Sequence, residues 1–84
     1  MGKHQIIMGR AGKAVAVNVV NRRQLLGLTQ SELSEAVRAH GRPLGRQTIA
    51  EIETCRRRVD VDDLVALCKA LETTPQALLG RSLA

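Results

Sequence analysis

The chain has 84 residues, enough for one domain, since chains divide into separate cores only when much longer. Hydrophobic residues are 44% and charged residues 25%, a globular balance that argues against disorder; the absence of Phe, Tyr and Trp removes the stacking platforms on which single-strand and RNA-sheet binders depend. Thirteen Lys and Arg against eight Asp and Glu give a net charge of +5, which favours an anionic partner.

That charge is segregated. Residues 1–58 carry eleven basic and four acidic side chains, whereas residues 59–84 carry two and four, so one end is built to face a polyanion. The only cysteines are Cys55 and Cys68, and Lys3, His4, Arg10 and Lys13 interrupt any apolar leader. No run approaches the ~20 apolar residues of a membrane span. A cytoplasmic protein with free thiols is expected, with no membrane partner.

In chain order, residues 1–13 hold three glycines, mixed charge and no hydrophobic period, and read as a mobile basic arm. From Lys13 the run AVAVNVVNRRQLL is expected to be helical despite its β-branched valines, because Gly27 supplies a stop and a helical pattern follows. A strand is the competing reading. Thr29 offers a cap for a second helix over residues 30–39, with Leu33, Ala36 and Val37 at i, i+3 and i+4.

Residues 40–46, HGRPLGR, contain two glycines and a proline and must be loop. A helix restarts at Arg46. At about 100° per residue, Ile49, Ile52 and Glu53 gather on one side of it while Gln47, Ala50, Glu51 and Thr54 point the other way. Residues 55–58 form a basic corner. Asp60 or Asp62 can cap the next helix, whose Leu64, Leu67, Cys68 and Leu71 make one apolar face, and Thr74 with Pro75 opens a short last helix ended by Gly80.

The ordered blocks GLTQSEL (27–33), LGRQTIAEIE (44–53) and RRRVDVDDLVALCKALETTPQALL (56–79) resemble the Cro/C1-type, or xenobiotic-response-element, helix-turn-helix family of DNA-binding regulators. The resemblance spans residues 14–79. It implies an all-helical, compact bundle of about five helices whose second and third form the helix-turn-helix, flanked by the arm at 1–13 and a tail at 80–84. Arg46, Gln47 and Glu51 fall at the family's base-reading positions, and their chemistry suits base readout, because Arg pairs with guanine, Gln with adenine, and Glu accepts from the cytosine amino group. Ile49 and Ile52 would pin the helix.

Gln30 sits where the family contacts phosphate, at a helix N-terminus that favours anions. Thr48, and Arg42, Arg56, Arg57 and Arg58 in the flanking loops, are likewise assigned to phosphates, with at least one of these arginines expected to be only a solvated corner. Arg23 and Glu53 occupy positions where the family has a salt bridge that orients the recognition helix. The sequence also departs from the family. The segment between Val37 and Ile49 is about five residues longer than the usual turn; Gly45 replaces a capping Ser or Thr, Cys55 and Glu72 replace glycines, and Arg22 replaces an apolar residue.

Other chemistry fares poorly. GRAGK at residues 9–13 lacks the first glycine of a phosphate loop and the Ser or Thr that would hold magnesium. His4, His40, Cys55 and Cys68 have no zinc spacing, and no catalytic arrangement can be argued, so neither metal, cofactor nor enzymatic activity is expected. The sequence therefore predicts a double-stranded-DNA-binding transcriptional regulator, a repressor that occupies a pseudo-palindromic operator as a homodimer. The dimer surface is expected around Val59, Val61, Leu78, Leu79 and Leu83. Two alternatives stay open: an antitoxin that binds a toxin and represses its own operon, and a protein-interaction module whose helix-turn-helix no longer reads DNA.

Overall fold

The computed structural model describes residues 7–80; most of the expected arm, residues 1–6, and the tail from residue 81 onward lie outside the described residues. Among those described are five helices and no strand: α1 (Arg10–Leu25), α2 (Gln30–Ala39), α3 (Arg46–Glu53), α4 (Val61–Ala70) and α5 (Pro75–Leu79). The helical reading of the valine run is therefore correct and the strand alternative is excluded. Helix α1 starts at Arg10, three residues before the expected Lys13, so residues 10–13 belong to the helix and not to an arm. Gly12 lies within the first turn of this helix, beside the Met8 side chain, and does not break it.

The other starts follow local chemistry. Thr29 accepts from the Glu32 N–H while Glu32 accepts from the Thr29 N–H, and Asp60 and Asp63 form the same reciprocal box at α4. Thr74 caps α5, with Pro75 in its first turn. Among the described helices, Gly9 and Gly45 cap without a side-chain bond.

The core is mainly aliphatic, with Cys68 packed into it. Val19, Leu33, Val37, Ile49, Ile52, Leu67, Leu71 and Leu78 are fully buried, each helix contributing at least one. Truncating any of the leucines or isoleucines to Ala should cost about 2–5 kcal/mol. Helix α1 packs on α3 and α5, α2 on α3 and α4, and α4 on α5. Two polar ties from α1 close the bundle: Asn18 Nδ2 donates to the Leu78 carbonyl at 2.8 Å, and the Arg22 guanidinium donates to the Leu71 and Glu72 carbonyls at 2.8 and 2.9 Å. Arg22, out of place as an apolar position, thus closes the C-terminal end of α4, where the dipole welcomes a cation.

The lengthened turn between α2 and α3 is held from inside. Ser34, buried on α2, donates its hydroxyl to the Leu44 carbonyl at 2.6 Å, and the Leu44 side chain is itself buried in the core. The Leu44 N–H returns to the Arg42 carbonyl across Pro43, whose fixed φ suits so tight a bend. Gly41 supplies the positive φ of 86° that turns the chain away from α2.

Candidate nucleic-acid interface

Helix α3 is barely two turns long, and its two buried isoleucines divide it into an inner and an outer face. Ile49 and Ile52 anchor the inner face. Arg46 and Gln47 are exposed in the first turn, Thr48, Ala50 and Glu51 are half-buried, and Thr54 is exposed at the end. Because Gly45 brings no side chain to the helix start, the amide groups of the first turn keep their capacity for an anion. The polar groups that this face offers, guanidinium, carboxamide, hydroxyl and carboxylate, are those that hydrogen-bond to base edges and phosphates.

A continuous network lies behind the first and last turns of α3. Arg23 Nε donates to Glu53 Oε2 at 2.6 Å and its Nη2 to Oε1 at 3.1 Å, a bidentate pair with side chains 14% and 6% exposed. Arg23 also donates to the Leu28 carbonyl. Hydrogen bonding to Glu53 raises the Arg23 pKa, against the opposing pull of burial. Gln30 joins the pair: its Nε2 donates to Glu53 Oε1 at 2.9 Å, and its Oε1 accepts from Arg46 Nη1 at 3.3 Å. In the free protein, the Gln30 carboxamide therefore bridges the pair to Arg46, with no more than one amide hydrogen left for a phosphate.

The flanking arginines divide. Arg42 Nε lies 2.7 Å from Asp63 Oδ1 and its Nη2 3.0 Å from Asp60 Oδ2, while Arg57 Nη2 lies 3.2 Å from Asp63 Oδ2. Both are paired with carboxylates in the free protein, so a phosphate would compete with Asp60 and Asp63 for them. Arg58 is exposed and donates to the Ile7 carbonyl. Arg56 is exposed and makes no ion pair with a described residue.

Asp63 was not visible as a site residue from sequence. The one local signal was an aspartate three places after the capping Asp60, which predicts a reciprocal cap but not two arginine partners. Burial opposes ionisation of its fully enclosed carboxyl, yet Arg42, the Asp60 N–H and Arg57 together hold it below the ordinary carboxylate range. Burial also pushes the Cys68 thiol up, consistent with a packing role.

On the acidic side of the molecule, Val61 is 75% exposed, and Val59 and Leu79 are half-buried against the core. Leu78 is corrected: at 1% exposure it is a core residue, directed inward at the place where Asn18 holds its carbonyl. Leu83 lies outside the described residues. No helix among the described residues is long and apolar enough to cross a membrane.

An α2–turn–α3 unit with a pinned inner face and a polar outer face, braced by α1, α4 and α5, defines a helix-turn-helix domain. Residues 20–78 match the Helix-turn-helix family, and the chain belongs to this Cro/C1-type family of DNA-binding domains. No curated protein matches the chain, and no solved structure does.

Proposed function

We propose that the protein is a transcriptional repressor that reads a pseudo-palindromic operator in double-stranded DNA as a homodimer. The observation that carries this reading is the outer face of α3. Gln47 projects from an uncapped first turn and Glu51 follows about one turn later, both opposite the anchoring Ile49 and Ile52, with Arg46 exposed on the flank of that face. In this reading Gln47 and Glu51 meet base edges, and Arg46 leaves Gln30 to pair with guanine. Thr48, Arg56 and Arg58 meet phosphates on the two sides, and the released Gln30 carboxamide takes a further one. The second copy docks through Val61, Val59 and Leu79, the apolar part of the surface that lies on the acidic half. Occupation of an operator by such a dimer blocks transcription by exclusion.

Selection of bound duplexes from a random pool tests the reading directly. It should enrich a sequence with two-fold symmetry, whose half-sites lie about one helical turn apart. Binding should weaken with salt at a slope of roughly −0.9 per phosphate contact. A flat salt response or no enriched sequence would reject it in favour of a protein-interaction module.

A further inference from the structure

We infer that Asp63 is a positioning residue for α3, fixing both ends of the reading helix from a place that DNA does not touch. An eight-residue helix has no stability of its own, so its placement comes from what holds it. Ile49 and Ile52 anchor its middle. At its ends, the two oxygens of one buried carboxylate divide the work. Oδ1 takes Arg42 Nε at 2.7 Å, from the lengthened turn that leads into α3. Oδ2 takes Arg57 Nη2 at 3.2 Å, from the corner that leads out of it. Asp63 stands in the first turn of α4, and its hydrogen bonds to the segments that flank α3 are these two straps. The lengthened turn makes the first strap necessary: a longer segment between two helices has more ways to sit, and Arg42 selects one of them.

This role presupposes that α3 reads bases, and it differs from simple capping of α4. Asp60 and Asp63 cap α4 reciprocally through backbone N–H groups, and that box uses no atom of Arg42 or Arg57 and should survive their replacement. Arg57 Nε is buried without a partner, so the corner strap hangs on its single Nη2 bond and depends wholly on the carboxylate.

The test compares the full chain with Asp63→Asn, Arg42→Met and Arg57→Met, first by amide hydrogen exchange without DNA. Arg42→Met should speed exchange at the start of α3 by about fivefold to tenfold, and Arg57→Met at its end, with α1, α4 and α5 unchanged; Asp63→Asn should do both. Equal acceleration in all helices, or acceleration confined to the first turn of α4, would overturn the positioning role. Each variant is then titrated on a duplex selected by the wild-type protein and on a scrambled duplex. All three should lose preference for the selected duplex while keeping the wild-type salt slope. A slope reduced by about one per arginine, with exchange unchanged, would make Arg42 and Arg57 phosphate contacts and refute the straps. If no duplex is enriched, α3 is not a base reader, and the exchange pattern still decides whether Asp63 holds it.

Discussion

Cys55 and Glu72 share one backbone conformation, φ 61° and 56°, and each follows directly on the residue that closes a helix, Thr54 after α3 and Leu71 after α4. They are also two of the positions where the family has glycine. In the left-handed region a side chain is crowded against its own carbonyl, and glycine is not. Cys55→Gly and Glu72→Gly should each raise stability by about 0.5–1 kcal/mol, after allowance for the greater freedom of glycine in the unfolded chain. Because the two positions close different helices, the gains should add. Urea denaturation of both single variants and the pair measures this; a loss at either site would mean that the native side chain makes a contact worth more than the strain.

The Arg23 and Glu53 pair should be strongly coupled. Glu53→Ala removes the acceptor of three hydrogen bonds and leaves a mostly buried guanidinium unpaired, a loss of about 3–5 kcal/mol. A domain of this size has roughly 4–12 kcal/mol in total, so the variant should lose a large fraction of its stability. Replacing both residues should cost less than the two single losses together. Thermal unfolding of the four proteins without DNA gives the coupling directly, and strict additivity would remove the pair from any account of how α3 is aimed.

Gly45→Asp separates stability from binding. The position has the extended φ and ψ of a capping residue, −69° and 170°, and an added Cβ meets nothing within 4 Å. Asp there should cap α3 and complement its dipole, with a gain of about 0.5 kcal/mol. It also brings a negative charge to the turn that carries Arg46 and Gln47. Duplex affinity should fall several-fold at low salt while the melting temperature rises; affinity that rises with stability would place the phosphates elsewhere.

Asp63 predicts a pH dependence of known sign. Its folded pKa lies below the ordinary value, so its contribution to stability is fully present above the unfolded value of about 3.9. It is lost as pH falls through the lower folded value, when the carboxyl that faces Arg42, Arg57 and the Asp60 N–H takes up a proton. Urea midpoints measured between about pH 6 and pH 3 should drop more steeply for the wild type than for Asp63→Asn, which has no such proton to bind. Parallel curves would show that other carboxylates govern the acid limb.

What the sequence discloses, and what it withholds, follows the range of the interactions. The starts of α2, α4 and α5 are legible because Thr29, Asp60 and Thr74 act on amide groups three residues away. The inner face of α3 is legible because Ile49 and Ile52 sit at helical spacing. Gly12 misleads, because a glycine in the first turn of α1 does not break the helix. Arg42 and Arg57 look like free cations because nothing nearby in sequence reveals that Asp63, 21 and 6 residues on, is folded between them. Leu78 looks like a surface residue because a helix of five residues is too short to reveal which face it buries.

The ties that α1 makes to the far end of the chain bear on how the protein is born. Asn18 waits for the Leu78 carbonyl and Arg22 for the Leu71 carbonyl, partners 60 and 49 residues later. A nascent chain that has just extruded α1, α2 and α3 therefore carries the reading helix but none of the groups that close the bundle around it, and contacts so distant form only after a long loop has closed. The bundle around α3 is therefore complete only when residues 71–78 have docked on α1.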